Sequence, residues 1–450
     1  MGLKDKRGVP VSTTNQESLE GLEHAFGLFQ GFFGDPYEAI NEVLEKDPDF
    51  IMGHCFRAGM IMASSEKGAV PDLRESVEAV EGRFDLANDR EKGHAAAARA
   101  WLDGNFHRAT EIYGDLLAAF PRDGIALQCA HLCDFLLGQS QMLRDRVSRV
   151  LPEWDENVPG FGYLHGMHAF GLEEMGEYGR AEESGRKAVE MNPNDTWAIH
   201  AVAHVMEMQG RLDEGVDWLT TRTDDWSPDN GFAFHNWWHL SLYHLDVGQL
   251  QDVMRIYDEH IRPAPSEVAM ELVDASALLW RLYLQGVDVG RRWADIADTF
   301  EPMKEDAYYV FNDMHAMMAF VADDRPGSAD RVMASVRRAA EAKDSNGAMT
   351  RDVGLPACEA IEAFGKGDYE TTVERLLNLR PIAHRFGGSH AQRDILSQTL
   401  IEAALRDGQF KLAKSLANER TVWKPTSPLG WKYEARAKAG LIQRSSGRAA

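Results

Sequence analysis

Six glycines recur along the middle of the chain at nearly constant intervals: Gly104, Gly138, Gly176, Gly210, Gly248 and Gly286, spaced by 34, 38, 34, 38 and 38 residues. At each one an apolar helical pattern stops and another begins. Glycine takes the left-handed conformation that closes a helix without steric cost, so the repeating unit reads as helix, tight turn, helix. Periods of this length are those of tetratricopeptide-like repeats. Two copies stand in register: WLDGNFHRATEIYGDLLAAFPRD carries Gly104, Phe106, Ala109, Tyr113 and Pro121, and LEEMGEYGRAEESGRKAVEMNPND carries Gly176, Tyr178, Ala181, Ala188 and Pro193. The small alanines at 109 and 181 permit close helix approach, and the prolines stop the second helix.

The same turn recurs around Gly34, Gly367 and Gly408. The expected fold is therefore all-α, a tetratricopeptide-like α-solenoid in which helix pairs stack into a right-handed superhelix, with no interval left for a sheet. No linker rich in Pro, Gly and Ser interrupts it. The expected organisation is an N-terminal extension over 1–15, one continuous repeat domain over 16–440 and a flexible tail over 441–450.

Charge narrows the partners. With 71 Asp and Glu against 48 Lys and Arg, the formal charge is −23, and such a surface repels a phosphate backbone, so nucleic acid is not expected as a partner. No stretch of 18 apolar residues could span a bilayer, and the N-terminus lacks the apolar core of a secretory signal. Cys55, Cys129, Cys133 and Cys358 are too few and too irregular for a disulfide framework, which fits a reducing, cytoplasmic setting. Cys129 and Cys133 read as buried small hydrophobes rather than a metal pair. P-loop, dinucleotide-glycine, nucleophile-elbow and Cys-x-x-Cys motifs are all missing.

Several longer strings fix polar residues within helices: HAFGLEEMGEYGRAE, AIHAVAHVMEMQGR, FHNWWHLSLYHLD, VDASALLWRL, FNDMHAMMAF and GGSHAQRD, over about residues 160 to 395. Here the chain resembles the tetratricopeptide repeat protein 38 family. The resemblance implies the helical-repeat fold; it brings no agreed activity with it.

Histidine is unevenly spread. Of sixteen, seven lie between His165 and His244, all before the turn glycine of their repeat and hence on first helices, which line the groove of such arrays. His94, His200, His204, Glu207 and His235 sit at offsets expected to point inward. The steps of four and three residues put His200, His204 and Glu207 on one helix face, and His235 and His239 repeat the spacing one helix pair later. Two such helices could supply four ligands to a divalent metal, His200, His204, His235 and His239, although the Glu of an H-E-x-x-H zinc helix is missing. Catalytic or substrate-binding work by His200, His204, Glu207, His235 and His239 is the competing use. The bland alternative is a polar groove whose histidines hydrogen-bond to backbone, water and nearby carboxylates. His244 turns away from His239, and His24, His54, His107, His260 and His384 carry no functional reading.

Further candidate ligand-binding residues are His165, His168, Asp274, Arg281, Asp313 and His315. An Asp beside a groove histidine can fix its tautomer, although buried ion pairs do the same without chemistry. In GGSHAQRD, Ser389 and Gln392 form a capping box, while His390 and Arg393 in the first helical turn could hold an anion. A superhelix of about seven or eight units makes roughly one turn, which would bring the regions around 200 and 390 to face each other. Trp226, Trp237, Trp238, Trp280 and Trp293 read as interhelix packing.

Two functions follow from different classes. The first is a His-rich internal groove that binds, and could transform, a small anionic molecule, with divalent-metal assistance as one route; hydrolysis, metal-assisted oxidation and plain storage all fit. The alternative is a scaffold gripping a peptide in its concave groove. Titratable residues where a peptide groove would need permanent charge tip the sequence reading toward the first.

Overall fold

The computed structural model describes residues 2–447. Helices follow one another along the chain, and among the described residues there is no strand beyond two isolated bridges, Lys4 with Pro10 and Phe33 with Asn230. No helix is long and apolar enough to cross a membrane. The turn glycines behave as their spacing predicts: Gly34, Gly104, Gly138, Gly176, Gly210, Gly248, Gly286, Gly367 and Gly408 all have positive φ. At the first full repeat, Gly104 N–H donates to Trp101 O (2.9 Å) and Asn105 N–H to Ala100 O (2.8 Å), closing Asp89–Leu102 before Phe106–Ala119 begins. The glycine pattern misses at least two turns, the first at Ser65, which closes Ile51–Ser64 with φ +58°. Asp324, 38 residues after Gly286, takes φ +53° between Val310–Ala322 and Pro326–Ala339, since Asp tolerates the left-handed region better than most side chains.

The chain divides into two compact units, Met1–Val202 with Arg222–Ala233, and Ala203–Thr221 with Phe234–Ala450, where the sequence suggests one uninterrupted array. Glycine phasing runs straight through the dividing point and gives no sign of it. In the first unit, the segment expected as an extension is bound into the fold. Arg7 Nη2 donates to Glu23 at 2.6 Å, and Asp5 pairs with Arg90, which forks onto Asp123 at 2.7 and 2.8 Å. His94 completes this buried network through Nε2 to Asp123 (3.0 Å), a structural use for a histidine expected in the groove. Ala109 and Ala181 are fully buried, as close helix approach requires.

In the second unit the chain returns on itself. After Phe410–Trp423 it comes back to where it left Thr196–Gln209: Lys424 Nζ meets Glu207 Oε1 at 2.8 Å, Thr426 Oγ1 donates to Gly210 O, and Ser427 Oγ donates to Asp246 at 2.6 Å. Gly210 is doubly constrained, by its φ of +70° and because a Cβ would lie 2.6 Å from Thr426 Oγ1. The final helix, Pro428–Gly447, carries regular structure into the region expected as a tail; 448–450 lie outside the described residues.

Candidate functional site

Within the second unit, His204 near the end of Thr196–Gln209 and His235 and His239 on Ala233–Asp246 bring ring nitrogens within 4.8 Å of one another. All three are buried. The rings of His204 and His239 have centroids 4.3 Å apart, and those of His235 and His239 lie 4.8 Å apart and perpendicular. Two carboxylates stand behind them. His235 Nδ1 meets Asp274 Oδ2 at 2.6 Å and His239 Nδ1 meets Glu207 Oε2 at 3.0 Å. A carboxylate accepts, so each imidazole carries its proton on Nδ1 and presents Nε2 as the lone-pair nitrogen. This is the tautomer-fixing role considered for Asp274, and Glu207 performs it too.

Burial, and then the neighbouring His239, hold the His204 ring well below the ordinary histidine range, against Glu207. Burial also lowers His239, opposed by its bond to Glu207. For Glu207 burial acts to raise the carboxyl, but Lys424 and then His239 outweigh it and hold it well below the usual carboxylate range. Burial thus favours neutral rings at His204 and His239, while Lys424 and His239 keep Glu207 ionised beside them.

The other candidates fall in several places. His200 stands one turn before His204 on the same helix but belongs to the first unit, where its ring lies against Phe170, Trp197 and Phe232 at centroid distances of 5.4, 5.0 and 5.1 Å. His165 and His168 are also in the first unit, half-buried beside Phe161 and Ser148. Arg281, expected as a ligand contact, spends its guanidinium on main chain: Nη1 donates to Ala277 O (2.9 Å) and Nη2 to Ala391 O (2.7 Å), with the fork over Trp238. It clamps Ala269–Leu284 to the start of His390–Arg406. His315 likewise donates Nδ1–H to Phe311 O of its own helix (2.8 Å), and burial lowers it to about 4. Asp313 is buried on the same helix.

Ser389 and Gln392 form the expected capping box. Arg393 donates to Gly388 O, and the His390 ring lies near Trp423. Of the tryptophans, Trp226, Trp238, Trp280 and Trp293 are buried in packing and Trp237 stacks on His260.

Sequence reasoning missed two features. The first is Lys424, a buried lysine paired with a carboxylate 217 residues away, beside the network of Arg420, Asp394, Gln398 and Asp246. These groups line a cavity of about 20 Å³, against roughly 10–15 Å³ for one water. The second is the exposed face of the last helix pair. Val422 and Trp423 (73% and 58% exposed) end the first helix of the pair, and Trp431 and Ile442 (50% and 66%) lie on the second. Trp431, Ala435, Lys438 and Ile442, all exposed, follow steps of four, three and four residues and share one helix face. Nine Lys and Arg stand against two Asp and Glu from 410 to 450, a net +7, leaving −30 on all the residues before. A charge count by segment would have found it.

No family model matches the chain. Among solved structures it is similar to the human IFIT1 dimer with m7Gppp-AAAA, at TM-score 0.44 and 11% identity over 96% of each chain. It is also similar to a chain of the APC/C hetero-tetramer Cut9–Hcn1 (TM-score 0.39, 10% identity, 93% of this chain and 75% of that) and to yeast Tom70 (0.33, 13%, 96% and 97%). Likeness at this level carries nothing about activity. The chain's own helix pairs and left-handed turns make it a helical-repeat protein of the tetratricopeptide type.

Proposed function

We propose that this chain is an interaction scaffold of the tetratricopeptide repeat protein 38 kind that takes up an acidic, partly apolar peptide segment of a partner on the exposed face of its C-terminal helix pair. The observation that carries the reading is the exposure of Val422, Trp423, Trp431 and Ile442 on a helix pair that also exposes Lys411, Lys414, Lys432 and Lys438. Tryptophans in an interface centre dominate binding energy, and a basic rim on an otherwise acidic protein steers acidic partners to that place. The long strings within helices support the family. Four free, buried cysteines support a cytoplasmic setting.

A small-molecule site at the histidine cluster is the second reading, favoured by the carboxylate-braced imidazoles. The scaffold reading is preferred on the exposed apolar and basic side chains of the last helix pair.

Synthetic peptides of matched length and apolar content, one Glu-rich and one Lys-rich, test the reading by fluorescence anisotropy. The Glu-rich peptide should bind, and Trp431→Ser or the Lys432→Glu/Lys438→Glu pair should weaken it by about tenfold or more. Equal binding of the Lys-rich peptide, or unchanged affinity in both variants, would refute it.

A further inference from the structure

Three of the histidines in the second unit cluster in a way that does not depend on the peptide-binding face. We infer that His204, His235 and His239 together ligate one divalent ion of the zinc class. Their ring nitrogens lie within 4.8 Å of one another. Tetrahedral coordination at Zn–N distances of about 2.0–2.1 Å places donors about 3.3 Å apart, so the rings need to close on the ion by at most about 1.5 Å, within the reach of small χ rotations.

Three features of the surroundings point to an ion rather than a satisfied polar core. Asp274 on His235 and Glu207 on His239 occupy Nδ1 and turn Nε2 forward, the carboxylate–histidine–metal arrangement in which the outer carboxylate orients the ring and raises its basicity. Asp274 is fully buried, and its Oδ1 has no hydrogen-bond partner among the described residues; the nearby Arg281 has given its Nη1 and Nη2 to carbonyls. A buried carboxylate in that state gains from positive charge drawn to the far side of its imidazole. Finally, Asp274 and Glu207 place negative charge beside the rings that offsets part of the positive charge of a divalent ion in a buried place, with Glu207 held in position by Lys424, which shares its charge. Three imidazole nitrogens with the fourth position left to water or an exogenous donor suit zinc or cobalt better than the oxygen-seeking calcium or magnesium.

The experiment uses the full chain, stripped with chelator and dialysed, then titrated with Co²⁺ followed by visible absorption and with Zn²⁺ followed by thermal melting. One equivalent of Co²⁺ should develop the intense bands of a four-coordinate site, and Zn²⁺ should raise the melting temperature. His204→Ala and His239→Ala should lose both signals. Should those variants fold poorly, Asp274→Asn keeps the ring's acceptor and should weaken metal affinity by about 10–100-fold, while His315→Asn, outside the cluster, should leave it unchanged. Wild-type protein that shows neither bands nor a melting shift, or a His204→Ala variant that binds as tightly as wild type, overturns the inference.

Discussion

Asp195 stands immediately before Thr196–Gln209, the helix that carries His200, His204 and Glu207, and shows how one buried group can set the pH response of the region. Its Oδ1 accepts from Ala198 N–H at 2.9 Å, while Oδ2 has no hydrogen-bond partner among the described residues. Burial raises its pKa to about 7, against the lowering pull of the Ala198 and Trp197 N–H groups. A carboxyl raised from about 3.9 in the unfolded chain binds more protons when folded. Its favourable contribution is therefore complete below the unfolded value and declines as pH rises toward about 7. Asp195→Asn keeps the cap without the titration. The variant should be more stable than wild type at pH 8, on the order of 1–3 kcal/mol, and the advantage should vanish by pH 4 in denaturant melts. At this scale the helical spacings that pair His204 with Glu207 and His235 with His239 were legible, and the structure brings the three rings close together. The bonds of Arg281 to the Ala277 and Ala391 carbonyls were not, because no residue pattern marks a main-chain partner 110 residues away.

Helices and turns were the most readable level. A left-handed turn favours glycine at a fixed register, so nine turn positions could be named, while Ser65 and Asp324, which take the same conformation with other side chains, escaped. What spacing cannot carry is which distant elements meet. Lys424 follows Phe410–Trp423, and its partner Glu207 lies on Thr196–Gln209, so the pair ties two elements 217 residues apart. Both side chains are 6% exposed. Removing one charge leaves the other buried and uncompensated, so Lys424→Met should cost about 3–5 kcal/mol in chemical denaturation. Adding Glu207→Gln should recover most of it, and equal losses in the single and double variants would show that the ion pair is not the source.

At the scale of the molecule, repeat class followed from period alone, whereas the division into two units did not, because the glycine series crosses residues 202 and 203 without a break. The overall charge concealed the most informative contrast: −23 is +7 over residues 410–450 set against −30 before them. The two proposed roles lie in different places, ion binding at the histidine cluster of the second unit and partner binding at the basic, tryptophan-bearing last helix pair. Quantitative affinity capture with wild type, His204→Ala and Trp423→Ser/Trp431→Ser, each first shown to be folded, tests that separation most directly. The account predicts partners depleted by the tryptophan variant and retained by His204→Ala; partners retained by the tryptophan variant and lost from His204→Ala would contradict it.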